Sequence, residues 1–113
     1  MLGMDNVIPM QVPEGEPTNL TNTMARAKVR ELVKDSANVG LTAHVRQRML
    51  ERGISRAQIN NCLSLGWVSD TPYINIHGNW QFNVMHLAAG VKLEVGVAID
   101  WPSGIIVLTA FES

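Results

Sequence analysis

The stretch Trp80–Asp100, with the sequence WQFNVMHLAAGVKLEVGVAID, decides the fold of this chain. Apolar and polar side chains alternate with a period of two before and after Ala88-Ala89-Gly90, most regularly over Val91–Asp100. That period indicates β-strands with one buried and one polar face, and small residues between two such strands are typical of a turn. We therefore predict an antiparallel hairpin.

The register of this hairpin follows from its apolar residues. We predict three facing pairs on the buried side: Val84 with Leu93, Phe82 with Val95, and Trp80 with Val97. The same register sets Asn83 opposite Glu94 on the polar side. A slip by one residue would mix the two faces, so burial should fix the register.

One further strand is predicted on each side of the hairpin. Tyr73–Ile76 is a short strand, followed by turn residues at His77-Gly78-Asn79. After a turn at Trp101–Gly104, Ile105–Phe111 is apolar on both faces, as an interior strand would be. The four strands follow one another along the chain, which predicts an antiparallel β-meander.

The residues before the sheet show the helical period of 3.6. We predict a first helix from about Thr23 to Ser36, capped by Asn22 or Thr23, in a segment that ends at Gly40. A second helix should span Ala43–Arg52, between the N-cap Thr42 and a left-handed Gly53.

A third helix starts at a capping box formed by Ser55 and Gln58 and ends at Gly66. Helices are needed to cover the apolar side of a one-sided sheet. The predicted fold class is therefore α+β, with N-terminal helices packed on a four-stranded antiparallel β-meander.

The domain organisation is simple, since 113 residues are the size of one domain. Residues 1–22 contain three of the five prolines and no sustained periodicity, and we interpret them as an irregular tail. Residues 23–113 form the single predicted α+β domain.

Composition excludes several function classes. No apolar stretch is long enough to span a bilayer, and the first residues lack the basic start of a secretory signal. The only cysteine, Cys62, has no partner for an internal disulfide. We therefore expect a cytoplasmic protein without a membrane partner.

Charge is also informative. The net charge is −1, so no global field attracts nucleic acid. The segment between Leu41 and Gly66, however, contains four arginines and one glutamate, which gives it a local net charge of +3. An anion-binding surface must therefore come mainly from the helices.

His44, Arg48 and Arg52 are spaced four residues apart on the second predicted helix. Each such step turns only about 40° around the axis, so the three side chains form one stripe at the edge of the core. A histidine can transfer a proton near neutral pH, and guanidinium groups can hold a phosphate. The alternative is a solvated basic stripe with a structural histidine.

Other candidates are more scattered. Thr109 interrupts the last apolar strand, so its hydroxyl either bonds locally or faces a cleft. His86 ends a strand, His77 lies in a turn, and Lys92 shares the polar sheet face with Asn83 and Glu94. No spacing matches a metal motif or a nucleotide loop, so we expect no metal and no cofactor.

The stretch Leu41–Ser55, LTAHVRQRMLERGIS, resembles the opening of the bacterial family called domain of unknown function 4258. That family begins with a Thr-x-His helix carrying spaced Arg-Met and Arg-Gly-Ile-Ser, and ends in a strand with an Ile/Val-x-x-Thr pattern. Here the last part is Ile106-Val107-Leu108-Thr109, and the resemblance covers about Leu41–Phe111.

The family is similar to small metal-independent ribonuclease toxins of the barnase/RelE-like type, with helices before a four-stranded antiparallel sheet. The resemblance implies that His44 is the acid/base, that Arg48 and Arg52 bind the scissile phosphate, and that Thr109 positions the substrate. His86 is the candidate for a second acid or base, and with Lys92 it is a candidate for substrate binding.

Two functions remain open at this point. The first is a metal-independent endoribonuclease, a toxin or effector with RNA as substrate and a neutralising protein partner. The second is a non-catalytic interaction or regulatory protein, antitoxin-like, immunity-like or a phage or plasmid accessory protein. The first predicts that His44 and Arg48 share an open cleft against the sheet, and the second that Arg48 and Arg52 pair internally or lie in solvent.

Overall fold

A computed structural model describes residues 15–113 and confirms the α+β class. Its helices are α1 (Asn22–Val33), a short 3-10 helix (Ser36–Asn38), α2 (Ala43–Arg52) and α3 (Arg56–Leu65). Its strands are β1 (Val39–Leu41), β2 (Trp67–Val68), β3 (Tyr73–Ile74), β4 (Trp80–Ala88), β5 (Val91–Asp100) and β6 (Gly104–Glu112).

The sheet is larger than predicted. It has six strands in the order β1-β6-β5-β4-β2, with β3 also paired to β4, and β1 runs parallel to β6 while the other pairs are antiparallel. The four-stranded antiparallel meander is therefore wrong as a description of the whole sheet. The two missed strands are three and two residues long, too short to show a period of two.

Strand β1 lies where the sequence predicted the end of the first helical segment. Val39 pairs with Ile105 and Leu41 with Val107, so Gly40 lies inside a strand rather than stopping a helix. The side chain of Arg56 donates to the Val39 carbonyl at 2.8 Å. A backbone acceptor of this short edge strand is therefore paired with a side chain.

The hairpin register differs from the prediction by two residues. The observed pairs include Phe82 with Val97 and Val84 with Val95. A shift of two keeps every side chain on its predicted face. The reason lies in the turn, whose two residues, Ala89 and Gly90, both have positive φ (52° and 79°). The predicted register would have placed two alanines there, whereas the observed one gives the second left-handed position to glycine.

The helix boundaries follow the capping signals closely. Thr42, Gly53 and the Ser55–Gln58 capping box lie where the sequence predicted them. Helix α1 starts slightly earlier than expected, because its N-cap is Thr21, whose hydroxyl accepts from the Met24 amide at 3.1 Å. The predicted caps Asn22 and Thr23 are instead helical residues.

The core lies between the helices and one face of the sheet. Helices α1 and α3 bury one apolar stripe each against the inward side chains of β4, β5 and β6; the largest fully buried are Phe82, Ile59, Leu63, Ile99 and Ile105. Cys62 lies in this layer, and burial, together with the nearby Glu94 charge, raises the pKa of its thiol to about 12. The thiol therefore stays protonated, and Cys62 acts as a small core residue rather than as a nucleophile.

The residues that precede α1 join the core although they form no helix or strand. Leu20 is buried, and the indole of Trp80 donates to the Pro17 carbonyl at 3.3 Å. The rest of the predicted tail, residues 1–14, lies outside the described residues. Within residues 15–113, no helix combines the length and apolar character needed to cross a bilayer.

A substitution at Gly66, which ends α3, would test the close packing between that helix and the sheet. A Cβ built there would overlap the Met85 carbonyl oxygen and lie 2.5 Å from the Cys62 carbonyl oxygen. Because both neighbours are backbone, we expect Gly66→Ala to lower the free energy of unfolding by about 1–3 kcal/mol in urea denaturation. The control is Gly40→Ala, whose Cβ would meet only the Ile105 oxygen at 3.8 Å, with an expected change within about 0.5 kcal/mol. Equal stabilities for the two variants would contradict this packing.

Candidate functional site

Helix α2 lies along the outer edge of β6 and covers the part of that edge that β1 does not pair with. The last ladder pair is Leu41 with Val107, after which the Thr42 amide donates to the Val107 carbonyl at 3.3 Å. One helix length further on, Arg52 Nη1 donates to the Ala110 carbonyl at 2.8 Å. Arg52 therefore fastens the end of α2 to the strand edge, a structural role that the spacing of the stripe did not reveal.

The two flanks of α2 face different surroundings. Val45 is buried at the centre of the helix contact. Arg46, Met49 and Leu50 border a cleft whose other walls are Leu41, Ile54 and Arg56, on the side of the helical layer. Helical geometry places the opposite flank, which contains His44, Arg48 and Glu51, toward the other side of the sheet.

His44 and Arg48 thus share a flank, but not the open cleft that the ribonuclease hypothesis predicted, and Arg48 pairs internally, as the non-catalytic hypothesis predicted. The Arg48 Nη1 atom lies 2.8 Å from Glu51 Oε1, and the Gln47 amide donates to the other Glu51 oxygen at 3.0 Å. The His44 side chain is exposed, and its imidazole makes no hydrogen bond to another residue within 15–113. None of the four clefts found in this part of the chain is lined by His44.

One face of the sheet has no described helix over it, and we call it the uncovered face. It presents alternate residues of the three long strands: Gln81, Asn83, Met85, Lys92, Glu94, Gly96, Ala98, Ile106, Thr109 and Phe111. The helices pack on the opposite side of these strands. The uncovered face and the His44 flank of α2 are therefore neighbouring surfaces.

Thr109 reaches the uncovered face because of a β-bulge. Val97 pairs with Val107, but the next residue back, Gly96, pairs with Thr109, so Leu108 is an extra residue in β6. The extra residue reverses the alternation, which exposes Thr109 and buries Ala110. The sequence predicted that the Thr109 hydroxyl either bonds locally or faces a cleft, and the side chain lies exposed on this face.

Three polar side chains converge at the centre of the uncovered face, and we call Asn83, Glu94 and Thr109 the open-face cluster. The Asn83 amide donates to Glu94 Oε2 at 2.8 Å. A Cβ built on Gly96 would lie 2.5 Å from Thr109 Oγ1 and 3.1 Å from Asn83 Oδ1, so both side chains lean over this glycine. The sequence predicted Asn83 directly opposite Glu94, which is wrong, because Asn83 faces Gly96 and reaches Glu94 diagonally. Gly96 within a strand was the signal for close packing there.

The remaining sequence candidates are separated from this surface or lie at its margin. His86 faces the helical side of the sheet, in a small cleft with Gln58, Asn61 and Glu112. Lys92 is on the uncovered face near the start of β5, and His77 lies exposed in the turn before β4. The structure therefore brings His44, Arg48, Arg52 and Thr109 to one edge, and it does not bring His86 to them.

A metal centre has no obvious ligands in the part of the chain that the structure describes. No group of three or more His, Cys, Asp or Glu side chains is close enough there to hold an ion.

The fold and this surface define a small α+β domain with a mixed six-stranded sheet that is covered by helices on one side. The model of the family "Domain of unknown function (DUF4258)" matches residues 41–112, and the chain belongs to that family. No curated protein matches the sequence, and no solved structure matches the fold. The match starts at Leu41, the last residue of β1, so α1 and the short 3-10 helix lie outside it.

The Glu51 carboxylate gives a titration test of the α2 flank. Its pKa is lowered first by the hydrogen bond from Gln47, then by that from Arg48. Because the pKa is lowered in the folded state, this carboxylate stabilises the fold at pH values above its ordinary pKa of 4.5. The contribution is lost as the pH falls through the lowered pKa. By carbon-detected NMR titration, we expect Gln47→Ala and Arg48→Ala each to raise the Glu51 pKa toward 4.5. Arg46→Ala, on the opposite flank, is the control, and unchanged pKa values in all three variants would contradict these contacts.

The Arg52–Ala110 hydrogen bond gives a stability test. Because a charged donor is lost from a strand edge, we expect Arg52→Ala to lower the free energy of unfolding by about 1–2 kcal/mol. Arg48→Ala removes only an exposed ion pair and should cost less than about 1 kcal/mol. Thermal and urea unfolding would measure both, and a larger effect for Arg48 than for Arg52 would reverse the assigned roles.

Proposed function

We propose that this protein is a metal-independent endoribonuclease that uses the edge between α2 and the uncovered face. In this proposal His44 is the acid/base, Arg48 and Arg52 bind the scissile phosphate, and Thr109 positions the substrate. The observation that supports it best is the hydrogen bond from Arg52 to the Ala110 carbonyl. That bond ties the helix bearing His44 and Arg48 to the strand that carries Thr109.

The reaction follows from RNA itself, since the ribose 2′-hydroxyl is the nucleophile. His44 takes the 2′ proton as the oxygen attacks phosphorus, and the P–O5′ bond breaks to leave a 2′,3′-cyclic phosphate. The guanidinium groups offset the negative charge that develops on the phosphoryl oxygens. Water protonates the leaving 5′ oxygen in this scheme, because His86, the sequence candidate for that role, lies on the helical side.

Arg48 must break its ion pair with Glu51 to bind a phosphate, and the free-energy cost of breaking that pair is small. The pair is exposed, with side chains 42% and 44% accessible. Exposed ion pairs contribute only about 0–1 kcal/mol, whereas a guanidinium and a phosphate can form two charge-assisted hydrogen bonds. The observed pairing is therefore compatible with a resting state of a phosphate-binding residue.

The biological setting we propose is that of a small toxin or effector acting in the cytoplasm. The expected similarity of the family to ribonuclease toxins of the barnase/RelE-like type supports this setting. A nuclease of this kind must be neutralised in the cell that makes it, so we propose a protein partner that covers the His44 edge. No cofactor takes part in the proposed reaction.

The test compares wild type with His44→Ala on total RNA and on a short fluorogenic RNA, in EDTA. We expect cleavage by wild type and a loss of about 100- to 10,000-fold in His44→Ala, because a positioned general base contributes roughly that factor. His77→Ala, an exposed histidine in a distant turn, should cleave like wild type. Because His44 is exposed, the melting temperatures should agree. RNA left intact by wild type, or cleaved equally by His44→Ala, would remove the proposal.

A non-catalytic interaction protein is the second candidate, and one exposed turn favours it. Ile76 is 96% exposed at the tip of the segment between β3 and β4. The tip is held rigidly, because Asn75 Oδ1 accepts from the amides of His77 and Asn79 at 2.9 and 3.1 Å. If wild type does not cleave RNA and Ile76→Asp abolishes binding to a protein encoded beside it, this second function is the correct one.

A further inference from the structure

We propose that the uncovered face binds an unpaired guanine of single-stranded RNA, with Glu94 as the residue that selects the base. This inference rests on the proposed function only for the class of polymer. The base site itself is argued from the open-face cluster and from the aromatic residues beside it.

Two aromatic residues share one row across the sheet with Glu94: Phe111 on the neighbouring strand and Trp67 two strands away on the other side. The register aligns Trp67 with Met85, Met85 with Glu94, and Glu94 with Phe111. Trp67 is 43% exposed and Phe111 is 37% exposed, so each offers part of its ring to solvent. Neighbouring strands are about 5 Å apart, so a base stacked on Phe111 has its edge within reach of the Glu94 carboxylate.

The carboxylate chemistry selects among the bases. An ionised carboxylate only accepts hydrogen bonds, and Glu94 Oε2 already accepts from the Asn83 amide at 2.8 Å. That bond fixes the orientation of the carboxylate and leaves capacity for further donors. Guanine has two adjacent donors, N1–H and the N2 amino group, on its pairing edge. Adenine and cytosine place an acceptor next to their amino group, and uracil has a single donor between two acceptors, so all three match Glu94 less well.

The surroundings favour single-stranded RNA over other occupants. A base can present its pairing edge to Glu94 only when it is unpaired, which excludes a continuous duplex. Positive groups for the phosphates lie near the cluster, namely Arg48 on the α2 flank and Lys92 two residues before Glu94. Asn83 acts as a positioning residue because it holds Glu94, and it need not touch the base.

The experiment measures binding by fluorescence anisotropy with wild-type protein and 2′-O-methyl RNA heptamers, which lack the 2′-hydroxyl needed for cleavage. The probes are a heptamer of adenines and the same heptamer with a central guanine. We expect about tenfold tighter binding of the guanine heptamer by wild type. Glu94→Gln keeps the shape and the Asn83 contact but loses the charge, and should reduce that preference to about twofold or less.

Matched variants separate selection from general affinity. Glu112→Gln removes a carboxylate from the helical side of the sheet and should retain the full preference. Phe111→Ala should weaken binding of both heptamers by a similar factor of about three or more, because stacking is largely insensitive to sequence. Circular dichroism of each variant reports whether the fold is intact, and Glu94→Asp gives a second test because a retracted carboxylate should also lower the guanine preference.

Several outcomes would overturn the inference: no guanine preference in wild type, a preference that survives in both Glu94 variants, or equal competition by a duplex of the same sequence. Cleavage of RNA by wild type without any guanine preference would end this inference and leave the proposed ribonuclease activity intact. Guanine-selective binding without cleavage would do the reverse, since binding to 2′-O-methyl RNA does not depend on catalysis.

Discussion

The outer edge of β6 is the constraint on which the candidate site depends. A strand edge with unsatisfied backbone groups must be paired, covered or solvated. Strand β1 pairs with three residues of this edge, and α2 then covers the remainder, with the Thr42 amide at one end and the Arg52 guanidinium at the other. Covering the edge in this way also brings His44 and Arg48 beside the uncovered face, so packing and the proposed chemistry use the same helix.

Local signals in the sequence predicted much of the helical layer. The capping threonine, the capping box and Gly53 each act within one turn of chain, so their neighbours in sequence are their neighbours in space. The faces of the two central strands were also predictable, because a period of two shows directly which side chains are buried. The β4–β5 register was less accessible, since it depended on which two residues accept positive φ in the turn.

The candidate site was only partly predictable for the same reason. The spacing of His44, Arg48 and Arg52 predicted one stripe, but not that Arg52 would bond to a strand carbonyl 58 residues away. Likewise, no pattern in Ile105–Phe111 shows where the strand contains an extra residue. The grouping of Asn83, Glu94 and Thr109 depends on that bulge, which arises from the pairing of β6 with β5 and is not visible in either strand alone.

The bulge at Leu108 makes the surface chemistry depend on strand pairing as well as on residue identity. If Leu108 stayed in the strand without a bulge, it would pair with Gly96, Thr109 would occupy an inward position and the C-terminal end of β6 would reverse its faces. Phe111 would then turn toward the helices and Ala110 toward solvent. Relatives that pair this strand without a bulge can therefore conserve the threonine in sequence and still present a different surface, so a comparison within the family must align strand pairing before side chains.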